Sequence, residues 1–82
     1  MSDYVDILVP EFGHGLTDAL VIEWLVSVGD AVERGDVVAV LETDKSSVDL
    51  MAEKSGTVVE IVVAARSITT SGAVLYRLDE RR

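Results

Sequence analysis

Lys45 stands in the stretch "LETDKSSVD" (41–49), where one apolar run ends and another begins. It is one of two lysines in the chain, and it occupies a reversal where Gly, Asn or Pro would be the ordinary residues. Three chemistries are open to such an amine. As a solvated charge it needs no dedicated role, because lysines are mostly exposed and turns are polar. As a catalytic nucleophile it would need a lowered pKa, which requires burial or a neighbouring cation. Glu42, Asp44 and Asp49 lie nearby instead of cations. As a site of covalent modification it is well placed. A primary amine on a rigid turn, with Ser46 and Ser47 leaving room around it, can be reached by a modifying enzyme and can hold its attachment away from the surface. Asp44 offers a recognition handle and a carboxylate able to bond turn amides.

The other residues that could do chemistry are fewer. His14, the single histidine, lies in Glu11-Phe12-Gly13-His14-Gly15-Leu16, where two close glycines mark a loop. No cysteine and no second histidine accompany it, so a metal site or a general base there is disfavoured. No Ser/His/Asp set and no phosphate-cradling glycine loop is present, which argues against an enzyme. A net charge of −8, with seven Lys and Arg in all, argues against nucleic acid or an anionic membrane as partner. No apolar run approaches membrane-spanning length and Met1 to Pro10 lacks a signal peptide's basic start, so a cytoplasmic setting is expected.

The elements that must position Lys45 are strands. With 82 residues the chain is a single domain whose core must come from its aliphatic residues, since there are only four aromatics and no cysteine. Short apolar runs separated by turn signals appear at Ile7–Val9, Ala19–Val26, Val37–Glu42, Val48–Met51, Thr57–Val63 and Val74–Leu78. This spacing points to a small all-β sandwich or barrel. Helix is the competing state for Leu16 to Val28 and Val58 to Ala65, but their β-branched residues favour strand.

A repeat runs through the chain at a displacement of 37 residues. "ALVIEWLV" (19–26) lies over "GTVVEIVV" (56–63), Gly35 over Gly72 and Leu41 over Leu78. Alternation predicts that Ile22, Trp24 and Val26 share a core face, as do Val59, Ile61 and Val63, with Glu23 and Glu60 turned to water. Two such units suggest approximate two-fold symmetry. Arg66-Ser67 stands where the first unit has Gly29-Asp30, so a different turn is expected there. The second unit stops at Leu78-Asp79-Glu80, whereas the first must reverse through Thr43-Asp44-Lys45-Ser46. Lys45 is therefore placed on a hairpin tip, at the end of the molecule roughly opposite the termini.

With the turn and the repeat together, the chain resembles the lipoyl domains of the acyltransferase component of 2-oxo acid dehydrogenase complexes. The resemblance runs almost without gaps from Val9 to Leu50, including the W-x-V-x-x-G-D-x-V-x-x-G-D stretch and T-D-K, and "SGTVVEIVV" (55–63) matches the second half. It implies a flattened barrel or sandwich of two four-stranded antiparallel sheets with quasi-two-fold symmetry, one carrier domain over 1–82 with its ordered core at about 4–79. It implies that Lys45 bears lipoic acid in amide linkage, attached by a lipoate ligase or lipoyl transferase that reads Thr43, Asp44 and Ser46. A thiamine-diphosphate-dependent decarboxylase would then load the arm, an acyltransferase centre would unload it, and dihydrolipoyl dehydrogenase would reoxidise it. Such a domain is a non-catalytic carrier, and the H-x-x-x-D-G motif of an acyltransferase is absent. The setting would be the cytoplasm, or the mitochondrial matrix in a eukaryote.

The same resemblance places Phe12, Gly13, His14, Gly15 and Leu16 beside the lipoyl turn, with Glu42, as residues read by the decarboxylase. Many members have an acidic residue where His14 stands. The nearest alternative is a biotinyl carrier, whose lysine is typically flanked by methionines; here the flanks are Asp44 and Ser46. A free-standing lipoyl carrier of another pathway, such as glycine cleavage, is the other.

Overall fold

A computed structural model describes residues 4–11 and 18–80. Among the described residues eight strands form: β1 (Tyr4–Leu8), β2 (Asp18–Trp24), β3 (Ala31–Val32), β4 (Val37–Glu42), β5 (Ser47–Met51), β6 (Gly56–Ile61), β7 (Ile68–Thr70) and β8 (Val74–Asp79). They make two four-stranded antiparallel sheets, ordered β1-β8-β6-β3 and β5-β4-β2-β7. Of the two stretches for which helix competed, β2 takes residues 18–24 and β6 takes residues 58–61, with no helix among the described residues of either. The two shortest strands, β3 and β7, had no run of their own in the sequence. Among the described residues no helix is long and apolar enough to cross a membrane.

The displacement of 37 is the symmetry of the fold. Val21 pairs with Leu41 and Val58 with Leu78; Trp24 pairs with Ala39 and Ile61 with Tyr76. Each sheet order maps onto the other under this exchange, with β1 taking the place of β5. The latter pair is offset by 43, since Tyr4 is opposite Asp79 as Ser47 is opposite Glu42. Nine residues (9–17) separate β1 from β2, against four (52–55) between β5 and β6.

Bulges correct the predicted core face. Register shifts between Val21 and Glu23 and between Val58 and Glu60, which makes Ile22 and Val59 the extra residues. A bulged residue shifts the alternation by one. The inward residues are therefore Ala19 and Val21 before the bulge and Trp24 and Val26 after it, with Val58, Ile61 and Val63 in the other half. Ile22 and Val59 are only partly covered, and Glu23 and Glu60 face water as expected. Matching bulges at Val38 and Leu75 let two consecutive residues, Val38-Ala39 and Leu75-Tyr76, be buried together.

The core closes around an aromatic pair contributed by both halves. Tyr76 is fully enclosed, and its ring meets Trp24 edge-on at 5.7 Å and 79°. Trp24 is half-buried, so this member of the predicted core face is partly open to solvent. Its Nε1 donates to Val63 O at 2.9 Å, tying β2 to the chain beyond β6. In the repeat, Ile61 stands for Trp24 and Ala39 for Tyr76, so large and small side chains exchange places across the two-fold and the rings interlock instead of colliding.

The turn at Arg66-Ser67 has the geometry of its counterpart, contrary to expectation. Arg66 has φ 72°, close to the 99° of Gly29. Its N–H donates to Val21 O at 2.6 Å as that of Gly29 donates to Val58 O at 2.7 Å. The backbone bonds of the corner hold the left-handed conformation against the side chain's preference, at a cost of about 1–2 kcal/mol. The difference lies in the side chains: Asp30 Oδ2 accepts from Ser27 N at 2.8 Å, and Ser67 has no equivalent bond.

Candidate functional site

β4 and β5 form a hairpin in which Glu42 is opposite Ser47. The four residues between them make the reversal. Their backbone is closed by Thr43 N–H donating to Ser46 O at 2.9 Å. Thr43 is the buried member, only 9% exposed, and its side chain organises the rest. Its Oγ1 accepts from the amides of Lys45 and Ser46, both at 3.2 Å, and donates to Ser46 O at 3.1 Å. It is therefore Thr43, rather than Asp44, that bonds the turn amides. A threonine hydroxyl bonding amides two and three residues on mimics a backbone turn and needs no glycine. This answers why a lysine can occupy the reversal.

Asp44, Lys45, Ser46 and Ser47 are all exposed, as is Glu42 at the strand end. Lys45 thus projects from a loop whose base is inside the sandwich and whose tip is in water. By the two-fold relation the tip is equivalent to the chain ends, Glu80 corresponding to Thr43. The second lysine is placed differently: Lys54 Nζ lies 3.5 Å from Glu80 Oε2. Phe12, Gly13, His14, Gly15 and Leu16, expected beside the turn, lie outside the described residues.

Comparison with known proteins matches residues 5–78 to the Biotin_lipoyl family, described as "Biotin-requiring enzyme". The chain belongs to this biotin/lipoyl attachment family. Similar curated proteins include the dihydrolipoyllysine-residue acetyltransferase component of the pyruvate dehydrogenase complex of Staphylococcus aureus, 34% identical over 71 residues. The corresponding Staphylococcus epidermidis protein is 32% identical over the same length. Each match covers 87% of this chain and 16% of the relative, so the chain spans about a sixth of those proteins. Among solved structures, the lipoyl domain of the 2-oxoglutarate dehydrogenase complex from Azotobacter vinelandii superposes with a TM-score of 0.77 at 33% identity. That match covers 95% of this chain and 99% of the other. The described residues have the lipoyl-domain fold, and Lys45 lies at the tip of the β4–β5 hairpin.

What sequence reasoning missed at this site is the role of Thr43. The signal was present: a threonine two residues before the lysine and three before a serine is the spacing of a hydroxyl-bonded turn.

Proposed function

We propose that this domain is a swinging-arm carrier with lipoate joined by an amide bond to Nζ of Lys45. The observation that carries the reading is the exposed amine on a turn clamped from below by the buried Thr43 hydroxyl, in a chain of the attachment family. The residues fit the group. The lipoyl chain is long and apolar and is retained by one covalent bond, so it needs an accessible amine on a stiff base rather than a pocket, and the exposed neighbours Asp44, Ser46 and Ser47 leave that amine open. A lipoyl group there supplies a cyclic disulfide able to take up an acyl group with two electrons and to release both.

The chain's own residues do the rest. Thr43 fixes the direction in which the arm leaves the hairpin; Asp44 and Ser46 frame the amine for the ligase; Glu42 begins the surface a visited enzyme meets. Tethering then replaces diffusion of a free intermediate by a high local concentration at each partner centre. In this reading the arm is loaded by a thiamine-diphosphate-dependent 2-oxo acid decarboxylase, unloaded at an acyltransferase centre and reoxidised by dihydrolipoyl dehydrogenase. His14, between two glycines in the sequence, tunes docking to the decarboxylase and leaves attachment alone.

Incubation with lipoate ligase, ATP and lipoate, followed by intact-mass measurement and peptide mapping, tests the assignment. One added lipoyl group on Lys45, with Lys54 unmodified, is expected. Lys45→Ala should abolish the addition at a stability cost within about 0.5 kcal/mol, the usual range for an exposed surface residue. Modification at Lys54 would refute the site, and biotin taken up in preference to lipoate would refute the cofactor.

A further inference from the structure

The two halves of the domain build the same cross-strand row and fill it differently. On the outer face of β1-β8-β6, Arg77 lies directly opposite Asp6 on one side and Glu60 on the other. Its Nε donates to Asp6 Oδ1 at 2.7 Å and its Nη1 to Glu60 Oε1. On β5-β4-β2 the equivalent row is Asp49, Val40, Glu23, again direct cross-strand partners. Both flanking carboxylates are exposed, and the residue between them is a half-buried valine. Among the described residues, no Lys or Arg pairs with either of them. The symmetry serves as an internal control: the same backbone positions hold a guanidinium on one sheet and leave its place open on the other.

The open row lies on the sheet that ends in the lysine hairpin. Val40 is three residues before Thr43, about 10 Å along the strand, and the next outward pair towards the tip is Glu42 and Ser47. Two strand spacings put the flanking Cα atoms of Glu23 and Asp49 about 10 Å apart. Between Asp6 and Glu60, the same interval is bridged by one arginine. A planar guanidinium can bond two carboxylates at once while its aliphatic stem covers apolar surface, and here that surface is Val40.

We propose that the Glu23–Val40–Asp49 row is the docking site for a basic partner surface, whose arginine takes the place over Val40 that Arg77 fills on the other sheet. This rests on the carrier reading, and the partner is the 2-oxo acid decarboxylase that loads the arm. Exposed complementary charges raise the encounter rate and select the partner more than they raise affinity, and a carrier must leave as readily as it arrives. The net charge of −8 steers in the same direction.

The test uses the lipoylated domain and the source organism's 2-oxo acid decarboxylase that acylates the wild type, with initial rates of reductive acylation measured against domain concentration and ionic strength. Glu23→Gln/Asp49→Asn should lower kcat/KM on the order of tenfold at low salt, the low end of electrostatic steering, with kcat unchanged and the salt dependence flattened. Val40→Arg, which fills the row from within, should have the same effect while keeping both carboxylates. Asp6→Asn/Glu60→Gln, the equivalent change on the other sheet, should leave acylation at the wild-type rate. Wild-type kinetics in the first two variants, or an equal loss in the third, would overturn the proposal. A lipoylated wild-type domain that none of the organism's decarboxylases acylates would refute the carrier reading itself.

Discussion

Replacing Thr43 by valine removes one hydroxyl and keeps the shape of the side chain. The hydroxyl makes three bonds in the turn, accepting from the amides of Lys45 and Ser46 and donating to the Ser46 carbonyl. At roughly 0.5–1.5 kcal/mol net for each, their simple total would reach 4.5 kcal/mol at most. The structure argues for less. Lys45 and Ser46 are exposed, so their amides regain water when the hydroxyl is lost, and Ser46 O keeps the 2.9 Å bond from Thr43 N. Thr43 is already buried, so the added methyl exposes no new apolar surface. The expected cost is about 1–2 kcal/mol, one to two bonds' worth. Urea denaturation should show it as a lower midpoint at constant slope. Amide exchange of Lys45 and Ser46 should accelerate, and lipoylation should slow, because the amine is no longer held in one direction. Thr43→Ser keeps the hydroxyl and should retain the attachment rate. A Thr43→Val domain with the wild-type midpoint, exchange and attachment rate would refute the role assigned to the hydroxyl.

Three further outcomes follow from the packing. Arg66→Gly should stabilise the domain by about 1 kcal/mol in chemical denaturation, because glycine adopts φ 72° without the cost a side chain bears there. Gly56→Ala should destabilise it by roughly 1–3 kcal/mol, since a Cβ at Gly56 would lie 2.5 Å from Asp79 O, a backbone atom that a rotamer change cannot move. Tyr76→Phe should not lower stability at neutral pH, because the buried hydroxyl has no hydrogen-bond partner. Burial, with Glu53 adding to it, raises the Tyr76 pKa above 10.0, so the folded state holds a proton that the unfolded chain releases. Wild-type stability should therefore decline as pH rises above 10, and Tyr76→Phe should lose that part of the decline.

The lysine turn was legible because its causes are local. Thr43 to Ser46 act within four residues, the flanking runs are β-branched, and a repeat of one glutamate-interrupted strand needs no tertiary knowledge to be seen. The two-fold followed from the same displacement, which the pairing of Val21 with Leu41 and Val58 with Leu78 turned into register. β3 and β7 escaped notice because two or three residues carry too little periodicity to stand out, and they exist only as partners of β6 and β2.

What the chain could not declare by itself is the phase of its own strands. "LVIEWLV" is apolar on both sides of Glu23, so alternation alone assigns Ile22 inward. The partner strand decides otherwise, because pairing Glu23 with Val40 leaves Ile22 as the bulge. Arg66 is the same case at a turn: its intrinsic preference is against the left-handed region, and bonds to a strand far away in sequence hold it there. Short-range features (the position of the lysine turn, β-branching and the repeat) were thus determined by the sequence alone. Only tertiary structure could decide which residues bulge, which backbone is strained and which carboxylates stand across from Arg77, because each depends on the residue a strand happens to meet across the sheet.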